Sequence, residues 1–536
     1  MNKIFLIFAL LFRFAGFAQT LTSSQLPILL IETNGQEIPN EPKIDAILKI
    51  IDNGPGQLNH PGDPATGYDG HIGIEIRGAS SAYYPQTPYG FETRNATGEA
   101  TDVALLGMPA EEDWVLLSHY NDISFLRNPL AFNLFRDMGH YAPRTRLVEV
   151  LLNGQYEGIY LFGEKIKRDA GRVDISKLAA DDVAGDDVTG GYIFKVDYWN
   201  DSDSWLGLSP LDHPDFDVHF VYFYPQPEDI VPAQAQYLQG FVHDFETALY
   251  GANFTDPAVG YAHYIDVASF IDYFIVQEVA RNNDGFKKSS YFYKDKTSKG
   301  ARLHAGPVWD FDWAWKNIDE CPMFAATDGS GWSHRINDCY PDVNAPGWLV
   351  RLMQDPAFAN QVGCRYQALR TTLLDKNRLF AIMDSTAAAV SEAKTRHFQR
   401  WPILGQNVGA PEIPPFATTY AGEITKLKTW VSKRLTWLDG HLPGVCNTPV
   451  NQVIAEDNAV ILFPNPASDQ VTIKAMERHF SQWTLTNCTG QTVRSGRVVD
   501  NQLDVADVAP GWYVVRLWDA PESEKPLIRK LAIIGY

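Results

Sequence analysis

The segment Gly306-Pro307-Val308-Trp309-Asp310-Phe311-Asp312-Trp313 constrains this chain more than any other. Side chains of extended backbone alternate faces with a period of two. Residues 301–309 are therefore predicted to run as a strand into the acids, with Asp310 and Asp312 on one face and Trp309, Phe311 and Trp313 on the other. Two carboxylates held over an aromatic layer are costly unless something cationic neutralises them. A hard divalent ion bound through carboxylate oxygens meets that need. Upstream, Asn283-Asp284-Gly285-Phe286 adds a third carboxylate able to orient a nucleophile, and together the acids point to metal-assisted phosphoryl transfer. Pattern alone also admits plainer readings. Asn-Asn-Asp-Gly after an apolar helix is ordinary helix-stop and turn chemistry, and an alternating acidic face can simply be solvated.

At 536 residues the chain exceeds one ordinary domain, and its formal net charge of −20 argues against nucleic acid and anionic membrane surfaces as partners. Lys165, Lys167, Arg168 and Arg172 form the best candidate for a local basic cleft, the alternative being a solvated charge run. The start, Met1-Asn2-Lys3 followed by a short apolar run and small residues before Gln19, reads as a signal peptide over residues 1–18. No other stretch is long and apolar enough to span a bilayer, so the mature chain is expected to be exported and to lack a transmembrane segment. Five cysteines suit that compartment. Cys321 with Cys339, and Cys364 with Cys446, are reasonable disulfides, Cys488 reads as a buried free thiol, and no cysteine spacing suggests zinc.

Strands are predicted at residues 26–33, 71–78 and 89–93, with a loop over 52–70. Asp122 or Ser124 opens a helix reaching about Met138, and Asn153-Gly154 turns a hairpin formed by residues 144–152 and 156–164. A strand follows at 190–196, Asp266 caps an apolar helix ending at the Asn-Asn-Asp-Gly turn, and residues 290–294 form another strand. From about 355 to 443 the pattern is helical, with Ile424, Leu427, Val431, Leu435 and Leu438 on one face. After a linker at 446–456, short alternating segments over 457–536 predict a small β-sandwich.

Six segments resemble the CotH family of kinase-like proteins, in that family's order, across roughly residues 25–443. They are Ile76-Arg77-Gly78-Ala79-Ser80-Ser81, Leu126-Arg127-Asn128, Asn153 through Tyr160, Glu164-Lys165-Ile166, Asn283 through Phe286, and Gly306 through Asp312. The resemblance implies an α+β, two-lobed atypical protein-kinase-like domain around a cleft for ATP and Mg2+, acting on hydroxyls of protein or cell-envelope acceptors. It makes Asp284 the catalytic-loop aspartate and Asp310 and Asp312 the magnesium-binding acids. Arg77, Gly78, Ser80 and Ser81 become the turn near the nucleotide phosphates, and Glu164 lies where the family enters its nucleotide-binding linker.

Two departures stand out. Much of the family carries lysine before the strand that follows the Arg-Gly-Ser-Ser turn, whereas Tyr84-Pro85-Gln86-Thr87-Pro88-Tyr89 has none. Where some members place an asparagine as second magnesium ligand, this chain has Ser289-Ser290. These departures imply the alternative function, a catalytically inactive kinase-like surface or adhesion scaffold. At the C-terminus, Leu462 through Asp469, Asn487 through Gln491, Pro510 through Tyr513 and Lys530 through Ile534 resemble the sorting domain of the type IX (Por) secretion system of Bacteroidetes. That resemblance implies the type IX machinery as a partner and a secreted or cell-surface destination; a carbohydrate-binding sandwich is the alternative.

Overall fold

In the computed structural model, alternating aliphatic residues roll the first strands into a closed barrel. The structure describes residues 21–300, 302–442, 444–446, 460–463, 465, 467–475, 479–486, 492–509, 511–519 and 527–533. The expected signal peptide, most of the 446–456 linker and Cys488 lie outside these. Strands β1 (Ile28–Glu32), β2 (Ile44–Ile51), β3 (Tyr68–Ile76), β4 (Tyr89–Arg94), β5 (Asp113–Ser118), β6 (Thr145–Leu152) and β7 (Gln155–Glu164) make up the barrel. Their order is β1-β2-β3-β4-β5-β7-β6, and parallel pairing of β1 with β6 closes it. Its interior holds Leu29, Ile31, Leu48, Ile50, Ile72, Ile74, Phe91, Trp114, Val150 and Phe162. β5 and β7 are buried on both faces: Trp114, Leu116, Tyr160 and Phe162 point into the barrel, while Val115 and Ile159 join a second core. Helix α1 (Arg127–Asp137) connects β5 to β6 and packs in that second core.

The second core lies on an antiparallel sheet of β8 (Tyr192–Val196), β9 (Ser204–Leu206), β10 (His219–Tyr224), β11 (Ser290–Lys294) and β12 (Leu303–Ala305), in the order β12-β11-β8-β10-β9. Helices α2 (Pro232–Tyr250) and α3 (Val267–Ala280) precede β11 in sequence. After β12 come α4 (Pro322–Ala325), α5 (Trp348–Leu352), α6 (Pro356–Arg370), α7 (Lys376–Ala389), α8 (Ala393–Arg400) and α9 (Tyr420–His441). As expected, Asp266 caps α3, its carboxylate accepting from the Ser269 amide at 2.8 Å. α3 is buried on every side from Ser269 to Ala280, the signature of a core helix rather than an amphipathic one.

Two expectations need correction, and the disulfide expectation holds for Cys321 and Cys339. The strand predicted over 301–309 is only β12; Gly306, with φ +114°, turns the backbone out of the sheet, and a Cβ there would meet Phe135 at 2.8 Å. The acids consequently follow irregular backbone, although Trp309 and Phe311 are buried as the alternation required. The basic cluster makes no open cleft: Lys167 pairs with Glu111, Glu112 and Asp113, and Arg172 with Glu111. Cys321 and Cys339 are joined, and Cys364 and Cys446 are each disulfide-bonded.

Residues Cys446–Tyr536 form a unit of their own. Here β13 (Val460–Phe463), β14 (Gln470–Ala475) and β17 (Gln502–Asp504) make one sheet. The strands β15 (Gln482–Thr486), β16 (Thr492–Arg497), β18 (Gly511–Trp518) and β19 (Leu527–Ile533) make the other. Both contribute to one apolar core that includes Val471, Trp483, Leu503, Val515 and Leu531. No helix among the described residues is long and apolar enough to cross a membrane.

Glu246 on α2 is a buried carboxyl held by the Leu208 amide at 2.8 Å and the Trp348 indole at 2.9 Å. Burial, only partly offset by those two donors, raises it to about 7. A carboxyl whose folded pKa is raised contributes stability below its unfolded value, and that contribution is lost as pH rises toward about 7, by at most about 1.4 kcal/mol per pH unit. Urea titrations between pH 5 and 8 should therefore show this loss in the parent and a flatter profile in Glu246→Gln; parallel profiles would contradict it.

Candidate active site

The site begins where α3 stops. Arg281 takes a left-handed conformation, φ +43°, and turns the chain into Asn282-Asn283-Asp284-Gly285. Gly285 lies against α3, and a Cβ there would come within 2.1 Å of Gln277 Oε1. The Tyr273 hydroxyl donates to the Gly285 carbonyl and fixes the loop from below. β11 and β12 then carry the chain back to the acids.

The Leu126-Arg127-Asn128 segment, at the start of α1, grips the acidic stretch. Asn128 Oδ1 accepts from the Phe311 amide at 2.7 Å, between the two aspartates. Arg127 Nε donates to the Ala314 carbonyl at 3.1 Å, and its guanidinium pairs with Asp122 at 2.5 Å and with Glu423 of α9 at 2.8 Å. Arg127, Asp122 and Glu423 are all buried, so removing one partner would leave an uncompensated charge, at a cost of roughly 3–5 kcal/mol. Asp310 itself sits at φ +65°, a left-handed conformation uncommon for non-glycine residues and better tolerated by aspartate than by most.

A cleft of about 730 Å³ gathers the candidates. Arg77, Gly78, Ser80, Ser81, Asp284, Asp310 and Asp312 all line it. Glu164 does not: fully buried at the end of β7, it accepts from the Arg144 side chain at 2.6 Å and the Arg144 amide at 2.8 Å. Gly78, at φ +96°, lets the turn fold so tightly that a Cβ would reach Ser81 Oγ at 2.2 Å. The Arg77 guanidinium lies 5.3 Å from the Trp309 ring centroid, and its buried Nη1 has no hydrogen-bond partner among the described residues. Burial pulls Arg77 below its ordinary value. An orphaned cationic donor beside a tight turn suits an anionic ligand.

Burial raises the Asp310 carboxyl well above the usual aspartate range, and the charge and hydrogen bond of Asp312 raise it further. Asp312 accepts from Asn121 Nδ2, and Asp310 from Ser289 Oγ at 3.4 Å. Beside the pair is a recess of about 40 Å³ lined by Ser81, Ser118, Asn121, Asn128, Asp310 and Asp312. Hard oxygen donors crowded at like charge fit a small divalent cation. Asp284 adds its charge to those raising Asp310 without joining the pair in a tight grouping; among the described residues the tight three-ligand groupings are Asp212–His213–Asp338 and Asp102–Glu111–Glu112. Asp284 is raised chiefly by burial, offset in part by Lys287 at 3.2 Å and by Lys288.

The structure adds residues that the sequence reading passed over. Lys195 of β8 lines the cleft, its ammonium 2.7 Å from Asp197 and 5.9 Å from the ring centroids of Phe223 and Tyr291. Burial pulls it down, but Tyr291 and Asp197 outweigh that and hold it above its ordinary value. Lys287, Lys288, Glu320 and Asp342 line the same cleft. Two lysines directly after Asn-Asp-Gly-Phe were the available signal. Gln86, at the position of the missing lysine, is buried elsewhere: it donates to the Glu157 and Ile159 carbonyls and accepts from the His119 amide.

A family model described as CotH kinase protein matches residues 74–438. The chain belongs to the CotH kinase family, and its mixed α and β fold carries that domain ahead of a β-rich C-terminal part. A second model, the secretion system C-terminal sorting domain, matches residues 461–533 and marks the chain for type IX export to the cell surface or the medium. A search of curated proteins returns no match.

Because Asp310 has a raised folded pKa, its stabilising contribution belongs to low pH and is lost as pH rises through that raised value. Asp310→Asn should therefore raise the Tm of chelator-treated protein by several degrees at pH 7, and by little at pH 4. Equal Tm values for variant and parent at pH 7 would contradict the strained pair.

Proposed function

We propose that this protein is an exported kinase-like phosphotransferase that binds Mg-ATP and transfers phosphate to a hydroxyl of a protein or cell-envelope acceptor. The single observation that carries the reading is the convergence of Asp284, the Asp310/Asp312 pair and the Arg77–Ser81 turn on one cleft. In this reading the barrel and the sheet-and-helix core act as the two lobes of a kinase-like fold. Asp310 and Asp312 would hold magnesium, which when bound neutralises phosphate oxygens. Arg77 donates to the polyphosphate, and the amides of Gly78 through Ser81 provide neutral donors beside it. Lys195 supplies from β8 the ammonium that Gln86 cannot. Asp284 accepts a hydrogen bond from the acceptor hydroxyl and orients it toward the terminal phosphate. Its raised proton affinity suits taking up that hydroxyl's proton.

A second reading, an inactive kinase-like surface or adhesion scaffold, draws on a specific observation. Gln86 is locked into the barrel wall by three hydrogen bonds and cannot serve the cleft. The two readings separate on nucleotide binding. Mg-ATP at about 100 times its dissociation constant should stabilise the mature chain by about 2.7 kcal/mol. Asp284→Asn should keep that stabilisation while losing transfer from labelled ATP, because a catalytic-loop carboxylate acts on the attacking group rather than on the nucleotide. No stabilisation by Mg-ATP would leave the scaffold reading; transfer at full rate by Asp284→Asn would remove Asp284 from catalysis.

A further inference from the structure

Lys287 is the anomaly of the cleft. Its side chain is only 1% exposed, and three carboxylates surround its ammonium: Asp284 at 3.2 Å, Glu320 at 3.4 Å and Asp342 at 3.6 Å. A buried ammonium persists only where it is paired. Two of these partners arrive on the two ends of one covalently closed loop. Glu320 directly precedes Cys321, Asp342 closely follows Cys339, and the two cysteines are bonded. The same ends hold the neighbours of Lys287: Asn283 Nδ2 donates to Glu320 at 2.7 Å, and Lys288 pairs with Asp342 at 2.7 Å. Arg281 fastens the loop's interior by donating to the carbonyls of Ala326 and Ser330.

We propose that Glu320 and Asp342 are positioning residues for Lys287, and through it for Asp284, and that the Cys321–Cys339 bridge makes assembly of the cleft depend on oxidation of the chain. This deepens the functional reading above and takes the role of Asp284 from it. Without the bridge, only non-covalent contacts, among them the Asp319 amide to the Pro411 carbonyl and Asn337 with Ala345, keep the two ends in place, and the hold of Glu320 and Asp342 on Lys287 loosens. The bridge forms by exchange with a dithiol–disulfide oxidant of the cell envelope. The Cys321 thiolate attacks the oxidant's disulfide, and the Cys339 thiolate then displaces it from the mixed disulfide. One S–S bond is made and one broken, and two electrons and two protons leave with the reduced dithiol. A chain that travels through the export route would thereby acquire an ordered cleft only after leaving the reducing cytoplasm.

The test reads lysine reactivity and uses no nucleotide. The full mature chain is treated briefly with acetic anhydride, and acetylation of Lys287 is followed by peptide mass spectrometry. Buried Lys294 and Lys316 serve as internal standards. In the oxidised parent all three should be protected. Cys321→Ser/Cys339→Ser, which leaves Cys364 and Cys446 untouched, should acetylate Lys287 at least tenfold faster while the standards stay protected. Glu320→Gln/Asp342→Asn, with the bridge intact, should expose Lys287 to the same degree. Protection of Lys287 unchanged in either folded variant overturns the proposal. Should the standards also react in the cysteine variant, the bridge holds the whole fold rather than the cleft, which overturns its proposed role there. A chain that fails to bind Mg-ATP would refute the functional reading and leave this outcome standing.

Discussion

The mutual repulsion of Asp310 and Asp312 is the constraint around which the large unit is arranged. Two carboxylates cannot be kept together beside buried aromatic rings by their own preference. The chain keeps them there by force applied from α1. Asn128 holds the amide between them, Arg127 holds the carbonyl just beyond them, and Asp122 and Glu423 hold Arg127. An arrangement that buries a charged network to keep two like charges adjacent is hard to attribute to stability. It is the pattern expected where strain is retained for a ligand.

The cleft is balanced charge by charge rather than simply acidic. Lys195 answers Asp197, Lys287 lies among Asp284, Glu320 and Asp342, and Lys288 answers Asp342. Burial alone would raise the Asp342 carboxyl, yet Lys288, Lys287 and Tyr198 bring it down to about 2. Against this background Arg77 and the Asp310/Asp312 pair stand out as charges of the cleft without an ordinary counter-ion among the described residues. One is a cation and the other a carboxyl pair whose double ionisation burial and mutual repulsion oppose, and both face the same volume. A polyphosphate and a divalent cation are complementary to that combination.

Much of this was legible in the chain. Alternation marked β3, strand-like runs bounded by turn residues marked β1, β4, β6, β7, β8 and β11, the Asn153-Gly154 turn marked the β6–β7 hairpin, and Asp266 marked the start of α3. The strands β2, β5, β9 and β10 went unread. β5 shows why: Asp113–Ser118 is short and buried on both faces, so it has no alternation to detect, and no Asn-Gly turn adjoins it as one adjoins β7. Pairing of the acids was legible because burial of Trp309 and Phe311 depends on local pattern. Their backbone path was not, because Gly306 and the grip of Arg127 and Asn128 are decided by contacts from α1. Glu164 is a related case: the family resemblance put it beside the nucleotide-binding linker, and only the fold reveals that Arg144 claims it and that it does not line the cleft. Lys195 and Lys287 were missed because their meaning lies in which carboxylates the fold brings to them.

The central claim is that Asp310 and Asp312 hold a divalent cation beside the Arg77–Ser81 turn. Anomalous diffraction from crystals of the mature chain grown with Mn2+ and a non-hydrolysable ATP analogue tests it most directly. The account predicts a manganese peak at coordination distance, roughly 2.0–2.6 Å, from oxygens of both aspartates, with the analogue's phosphates extending toward Arg77. A peak confined to Asp212, His213 and Asp338, the exposed grouping outside the cleft, or no peak at Asp310 and Asp312 with the analogue bound, would contradict it.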